Sequence, residues 1–273
     1  MTHEGQLRIG IFLGVLLLMA LWETLRPRRT PVLSRRIRWL PNLELIALDT
    51  LVVRLLFPTG AVALAAQGQT QGWGLLHSWH GPEWIEGVLA VIALDLVIYL
   101  QHVMFHAVPV LWRLHQVHHA DLEIDVTTGL RFHPVEIILS MGIKLAAILV
   151  IGPSPLAVLI FEVILNAMAM FNHANIRLPE RLDQTMRWLI VTPDMHRSHH
   201  SSLALESNTN FGFNLALWDR LMGTYCIAPA EGHEGMQIGL AHQRDPERCQ
   251  PLGAMMRMPF REEIGTYPIN RRW

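Results

Sequence analysis

Residues 135–171 read VEIILSMGIKLAAILVIGPSPLAVLIFEVILNAMAMF, an apolar block that contains three charged side chains and is interrupted at its centre. The interruption, Gly152-Pro153-Ser154-Pro155, divides the block into two segments of about 17 residues, long enough to cross most of a bilayer core. Glycine commonly ends a helix and proline commonly begins one. The block therefore predicts a helical hairpin within a membrane.

The composition of the whole chain agrees with a membrane protein. Of its 273 residues, 51% are hydrophobic and 16% are charged, whereas soluble domains carry about 25% charged residues. The mean hydropathy is +0.27 and the formal net charge is −1, which excludes a disordered chain and a basic nucleic-acid binder. Only Cys226 and Cys249 are cysteines, too few for a disulfide scaffold or a cysteine-ligated metal site.

Three further apolar segments precede the hairpin. The first, around Ile9–Trp22, carries no charge and predicts a span rather than a cleaved signal peptide, because no small-residue cleavage site follows it. Six arginines between positions 26 and 38 place the following segment on the cytoplasmic side. The second segment, about 43–66, contains Asp49 and Arg54, which either pair within the bundle or mark a start in the interface. The third, about 85–107, returns the chain to the cytoplasmic side.

These segments predict an all-α, multi-pass membrane bundle of about three spans plus the hairpin. Ten of the fifteen histidines lie between His102 and His200. By this topology, all ten lie at or near the cytoplasmic face. The fold therefore predicts a histidine-rich metal site at that face.

Eight of these histidines form three clusters with the spacing of metal ligands. Helical residues three and four apart share a face, so each cluster presents two or three imidazoles in one direction. Neutral imidazole is the commonest metal ligand near pH 7, and two separate H-x-x-H-H pentapeptides are improbable by chance. The predicted ligands are His102 and His106, His115, His118 and His119, and His196, His199 and His200.

Two single histidines, His133 and His173, flank the hairpin on the same face and are predicted to complete the site. A helix cap or a simple hydrogen-bonding role is the alternative for each. Ten histidines shared by two metals would give five each, more than zinc needs, and a histidine-rich site with open positions favours iron. Three polar side chains follow the helical stripes of the ligands and are predicted to support them, or else to form structural ion pairs: Asp95, Glu162 and Asn166.

The order and spacing of six motifs resemble the sterol desaturase / fatty acid hydroxylase superfamily, in particular its bacterial branch and the alkylglycerol monooxygenases. The similarity covers about residues 90–226. The motifs are HVMFH, LWRLHQVHHAD, TTGLRFHP, FNHANIRLP, TPDMHRSHHS and NTNFGFNLALWDRLMGTY.

The resemblance implies a non-haem di-iron enzyme that uses O₂ to hydroxylate or desaturate a lipid C–H bond of sterol, fatty acyl or alkylglycerol type. The eight clustered histidines match the three histidine boxes, and His173 matches a further histidine. Some relatives carry another histidine where this chain has Ala169, and His133 is the natural substitute. The implied domains are N-terminal membrane helices and an outside loop (1–84), a catalytic domain (85–229) and a tail (230–273).

The implied partners are a bilayer lipid and a separate electron-donor protein, because the chain has neither a G-x-G-x-x-G fingerprint nor a cysteine cluster. The implied location is a cell membrane, a bacterial inner membrane, with the site on its cytoplasmic face. The alternative is a histidine-rich metal-binding or transport protein without oxygenase activity, which would distribute its ligands across the membrane. A zinc hydrolase would need an H-E-x-x-H motif, which the sequence lacks.

Overall fold

The computed structural model describes residues 3–261, and the regular structure in this range is helical throughout. Extended pairing there is limited to three isolated bridges, so the predicted all-α fold is confirmed. Three short 3₁₀ turns occupy Leu75–Ser78, Thr128–Leu130 and Met258–Phe260. The α-helices are α1 (His3–Leu25), α2 (Arg35–Leu56), α3 (Gly60–Gln71), α4 (Glu83–Ala107), α5 (Pro109–His119), α6 (Pro134–Ile151), α7 (Pro155–His173), α8 (Glu180–Met186), α9 (Pro193–His199), α10 (Ala204–Ser207), α11 (Leu217–Leu221), α12 (Gly232–Gly235), α13 (Pro246–Cys249) and α14 (Leu252–Arg257).

Five helical segments are long and apolar enough to cross a membrane: α1, the consecutive pair α2–α3, α4, α6 and α7. This number agrees with the predicted three spans plus a hairpin. In the second segment, Pro58 separates α2 from α3 because it cannot continue the helix. Asp49 is buried in α2, Arg54 is exposed, and no ion pair joins them among the described residues.

The hairpin turn follows from the residues at its tip. Gly152 ends α6 in the left-handed conformation with φ +69°, and Ser154 begins α7 by accepting a hydrogen bond from the Ala157 amide at 3.3 Å. A Cβ at Gly152 would lie 2.3 Å from the carbonyl oxygen of Trp73. The turn thus requires glycine both for its conformation and for close packing against the preceding loop.

The helices α4 and α7 form the centre of the bundle. Helices α1 and α3 pack on α7, α6 packs on α4, and α5 folds back against α4. Leu94 and Ile98 of α4 meet Phe161 of α7 in the core, and the small Ala61 and Ala65 bring α3 close to them. This packing fixes the ends of α4, α5 and α7, which carry histidines, relative to one another.

The arginine-rich segment between α1 and α2 contacts the part of the chain that carries the histidines. Arg28 Nε lies 3.3 Å from Asp194 Oδ1 at the start of α9. The buried guanidinium of Arg38 binds both carboxylate oxygens of Asp121, just beyond α5, at 2.8 Å each. The arginines and the histidine-bearing helices are therefore at the same end of the bundle.

Residues 230–261 of the predicted tail pack against the helices. Met255 and Met258 join a core cluster with Trp112. The buried Arg131 donates to the carbonyl of Cys249 at 2.5 Å and to Gln250 Oε1 at 3.0 Å. Residues 262–273 of that tail lie outside the described residues, and the domain boundaries at 84/85 and 229/230 stay a prediction.

Candidate metal centre

Nine buried histidines converge in two groups at the end of the bundle formed by α4, α5, α7 and α9. Within each group, one ligand nitrogen per histidine lies within 4.8 Å of those of the others. The groups adjoin, because the rings of His119 and His200 stack across them with centroids 4.5 Å apart. The first group is His102, His106, His115, His119 and His199, and the second group is His118, His173, His196 and His200.

Each H-x-x-H-H pentapeptide contributes to both groups. On α5, His115 and His119 are four residues apart and belong to the first group. His118 is rotated by about 100° around the helix axis from His119 and belongs to the second group. At α9 the division is reversed: His196 and His200 join the second group. His199 joins the first. Because the two adjacent histidines of each pentapeptide belong to different groups, each pentapeptide holds the two groups next to each other.

Main-chain carbonyls fix the tautomer of four of the nine rings. A carbonyl only accepts hydrogen bonds, so each of these rings carries its proton on Nδ1 and a lone pair on Nε2. Glu136 Oε1 holds Nδ1 of a fifth ring, His115, at 2.7 Å. The carbonyl pairs are His102 with Phe211 (2.8 Å), His118 with Arg131 (3.1 Å), His173 with Ala169 (2.6 Å) and His199 with Thr209 (2.8 Å).

In the second group, two Nε2 lone pairs face each other without a proton between them. His118 and His173 both carry a lone pair there, yet their Nε2 atoms are only 3.1 Å apart. The Nε2 atoms of His173 and His196 are 3.0 Å apart. Nitrogens that bind one metal at about 2.1 Å and at right angles lie about 3 Å apart. The buried Nε2 atoms of His102, His115, His199 and His200 have no hydrogen-bond partner, so the donor set fits a metal in each group.

Burial keeps the rings outside the membrane spans neutral. It lowers the pKa of His115 to about 3. Burial and neighbouring imidazoles lower the pKa of five more rings well below the ordinary value of histidine, which leaves the unprotonated nitrogen that a metal requires: His118, His119, His196, His199 and His200.

His133 lies outside both groups. It caps α6, where its Nδ1 accepts a hydrogen bond from the Val135 amide at 3.2 Å, and its Nε2 lies 3.4 Å from the Met256 carbonyl. The contacts of His133 are therefore those of a helix cap, the alternative role considered above. The second group has four histidines, and the Ala169 position contributes a carbonyl to it rather than a ring.

None of the three polar side chains predicted to support the ligands has a hydrogen bond to a histidine among the described residues. Asp95 accepts from Trp218 Nε1 at 2.8 Å and from the Leu215 amide at 3.1 Å, which ties α4 to α11 and to the residues just before it. Glu162 binds Arg8 at 2.7 Å and also Lys144. Asn166 donates to the carbonyl of Glu162 within α7.

Glu136 is the support that sequence reasoning missed. It lies in the first turn of α6, 21 residues after the histidine it holds, and both side chains are buried. The signal in the sequence is a carboxylate two residues after Pro134, at the histidine end of a membrane helix. A carboxylate that accepts from a ligand histidine orients the ring and makes its other nitrogen a better donor.

Two glycines allow the loops to approach the histidines. A Cβ at Gly129 would lie 2.5 Å from the Ala169 carbonyl and 3.1 Å from His173 Nδ1. A Cβ at Gly212 would lie 2.6 Å from Asp219 Oδ2, which accepts from the Gly212 amide at 2.8 Å. Asp219 in this way holds the loop whose Phe211 carbonyl orients a ligand ring, and burial raises its pKa to about 6.

A cavity of about 470 Å³ opens between the membrane helices and reaches the histidines. Its inner end is lined by His102, His115, His118 and His196, and its walls include the apolar Ile98, Phe105, Leu130 and Leu165. Charged side chains from α1, α2, α6 and α7 also line it. The cavity is a route from the apolar surroundings of the bundle to the candidate metal centre.

Comparison with known proteins agrees with this arrangement. Residues 87–224 match the model of the fatty acid hydroxylase family, and this range includes all nine converging histidines. An ornithine lipid hydroxylase, OlsE, from Rhizobium tropici is 29% identical over 156 residues, which cover 56% of this chain and 46% of that protein.

Alkylglycerol monooxygenase from Xenopus tropicalis is 29% identical over 154 residues, covering 56% of this chain and 32% of the relative. The human alkylglycerol monooxygenase is 28% identical over 170 residues, which cover 60% of this chain and 34% of that protein. This chain thus spans less than half the length of these relatives, and no solved structure matches it. The family match covers half of the chain, and the chain therefore belongs to the fatty acid hydroxylase family.

Proposed function

We propose that the two histidine groups each hold an iron ion and that the protein uses O₂ to hydroxylate or desaturate a C–H bond of a membrane lipid. The observation that carries this proposal is the convergence of nine buried histidines at the inner end of a cavity between membrane helices. The first group offers five nitrogens where zinc is satisfied by four, and histidine-rich sites of this kind suit iron. Relatives named as a lipid hydroxylase and a monooxygenase favour hydroxylation over desaturation.

The nine histidines of the two groups are the proposed ligands. Bound iron would supply the activation of O₂ and the oxidation of an unreactive C–H bond. The chain itself orients the rings through the carbonyls of Phe211, Thr209 and Arg131, so that the Nε2 lone pairs face inward. Burial of every ring excludes water, and the apolar walls of the cavity hold the lipid chain next to the histidines.

We place this site on the cytoplasmic face of a cell membrane, for which a bacterial inner membrane is the proposed location. The arginine-rich segment predicted to be cytoplasmic contacts the histidine-bearing end through Arg28 and Arg38. The electrons would come from a separate donor protein, because the sequence contains no nucleotide fingerprint or cysteine cluster.

The proposal is tested on purified protein and on the lipids of cells with and without it. We expect two irons per chain and an O₂-dependent lipid product that has gained one oxygen or lost two hydrogens, detected by mass spectrometry. His118→Ala should abolish product formation and lower the iron content, whereas His80→Ala, at an exposed position far from the groups, should change neither.

Two results would contradict the proposal. One zinc per chain with no O₂-dependent product would exclude the oxygenase. Metal uptake into vesicles without any lipid product would favour the alternative of a metal-binding or transport protein. The convergence of the ligands at one end of the bundle, rather than along a path across it, argues against that alternative.

A further inference from the structure

The cavity that reaches the histidines contains a carboxylate that has no partner among residues 3–261. Asp49, in the second half of α2, is only 5% exposed and lines this cavity. Its Oδ1 accepts no hydrogen bond, and no ion pair includes Asp49 among residues 3–261. A buried charge without a partner is costly, and it is more costly at membrane depth.

Several other charged side chains of the same cavity have partners. Arg8 and Lys144 both bind Glu162, and Glu136 Oε1 accepts from His115. The second oxygen of Glu136, Oε2, is also buried without a hydrogen-bond partner. Within residues 3–261, two carboxylates of the cavity, on α2 and α6, therefore have an unsatisfied acceptor oxygen, and no cation binds either of these oxygens.

Asp49 and Glu136 line the same cavity. Glu136 also contacts His115, a ring of the first histidine group that lines this cavity, so its open oxygen lies beside the histidines. A group with several N–H donors and a positive charge can bind more than one such oxygen. A protonated primary amine has this chemistry.

We propose that Asp49 is a specificity residue that binds the protonated amine of a lipid substrate, with Glu136 Oε2 as a second acceptor. This rests on the proposed function, because it assigns the polar end of the lipid that the cavity would hold. The amine would lie close to the histidine groups, so the oxidised carbon would be near the polar end of the lipid rather than at the end of its tail. A neutral lipid would leave the negative charge of these carboxylates unpaired, and an anionic lipid would be repelled by it.

The test is a binding measurement that requires no turnover. The full chain in neutral maltoside micelles is titrated by calorimetry with dodecylamine, with N-dodecylacetamide and with dodecanoate, which share a chain but differ in charge. We expect dodecylamine to bind at least about thirty-fold more tightly than the acetamide, as for a buried charge pair. Asp49→Asn should lose this preference and still bind the acetamide, which shows that the variant is folded.

Glu44→Gln is the matched control, because it removes the same charge from an exposed position on the same helix. It should keep the preference for the amine. Equal binding of the amine and the acetamide by the unaltered protein would overturn the proposal, and so would tighter binding of dodecanoate or an unchanged preference in Asp49→Asn. If the amine preference is found but neither iron nor an oxidised lipid is, the proposed function fails and the amine site stands.

Discussion

Replacing Glu136 with glutamine measures how strongly the first histidine group depends on its support. Glu136 Oε1 lies 2.7 Å from His115 Nδ1, and both side chains are buried. Glutamine has the same shape and keeps an accepting oxygen, but it removes the charge that makes the opposite ring nitrogen a strong donor.

The size of the effect follows from the composition of the group. Loss of such a support typically lowers metal affinity by about 10- to 100-fold, or about 1.4–2.7 kcal/mol. His115 is one of five histidines in the first group, and glutamine retains the hydrogen bond, so we expect the lower end, about tenfold. The second group does not include His115, so its affinity should fall less than that of the first group.

The assay is anaerobic competition for ferrous iron between the full chain and a chelator of known affinity, with the bound iron counted at each step. Glu83→Gln, at an exposed position at the start of α4, is the control for loss of a carboxylate from a membrane helix. The reasoning would be refuted if the Glu136→Gln variant bound both irons within twofold of the unaltered affinity, or if both sites weakened equally.

Three further outcomes are expected. His118→Ala should remove the iron of the second group, whereas His133→Ala, outside both groups, should keep both irons and lower only the melting temperature; iron loss in His133→Ala would identify it as a ligand. Gly212→Ala should lower the stability by about 1–3 kcal/mol, seen as a lower melting temperature, because the new Cβ would meet Asp219 Oδ2 at 2.6 Å. In the metal-free protein, the lowered pKa of His115, about 3, lies below the unfolded value of about 6.5. The free energy of unfolding is therefore highest above about pH 6.5 and falls as the pH drops toward 3, by up to about 1.4 kcal/mol per pH unit for each such ring. A melting temperature that does not fall between pH 7 and pH 5 would contradict this.

The sequence was informative about the fold because the membrane restricts the choices. In apolar surroundings the main chain must satisfy its own hydrogen bonds, so an apolar block of this length is a helix. Gly152 and Pro155 then specify where the hairpin turns. The break at Pro58 follows from the proline itself. The close approach of α3 to α7, in contrast, depends on packing between segments that are distant in the sequence, which hydropathy does not describe.

The candidate site was predictable to the extent that it is local in sequence. The spacing within HQVHH and HRSHH predicts convergent imidazoles, because helical geometry alone determines it. The ion pair of Glu162 with the nearby Lys144 was among the alternatives that the sequence offered. The other partners, Arg8 of Glu162 and Trp218 of Asp95, were not predictable, because they come from elements more than 100 residues away. His133 illustrates a different difficulty, since a histidine before proline fits a helix cap and a metal ligand equally well.

The division of each H-x-x-H-H pentapeptide between the two groups has a consequence for assembly. An ion that fills the first group fixes the rotation of α5 and α9 about their axes, and both helices already carry nitrogens of the second group. The first ion therefore lowers the entropic cost of ordering the second site, and the two ions should load cooperatively. Insertion of one residue within either pentapeptide would turn the following histidines by about 100° and disturb both sites together. A change in the register of either pentapeptide therefore affects both sites, whereas the loss of one ring acts first on the group that contains it.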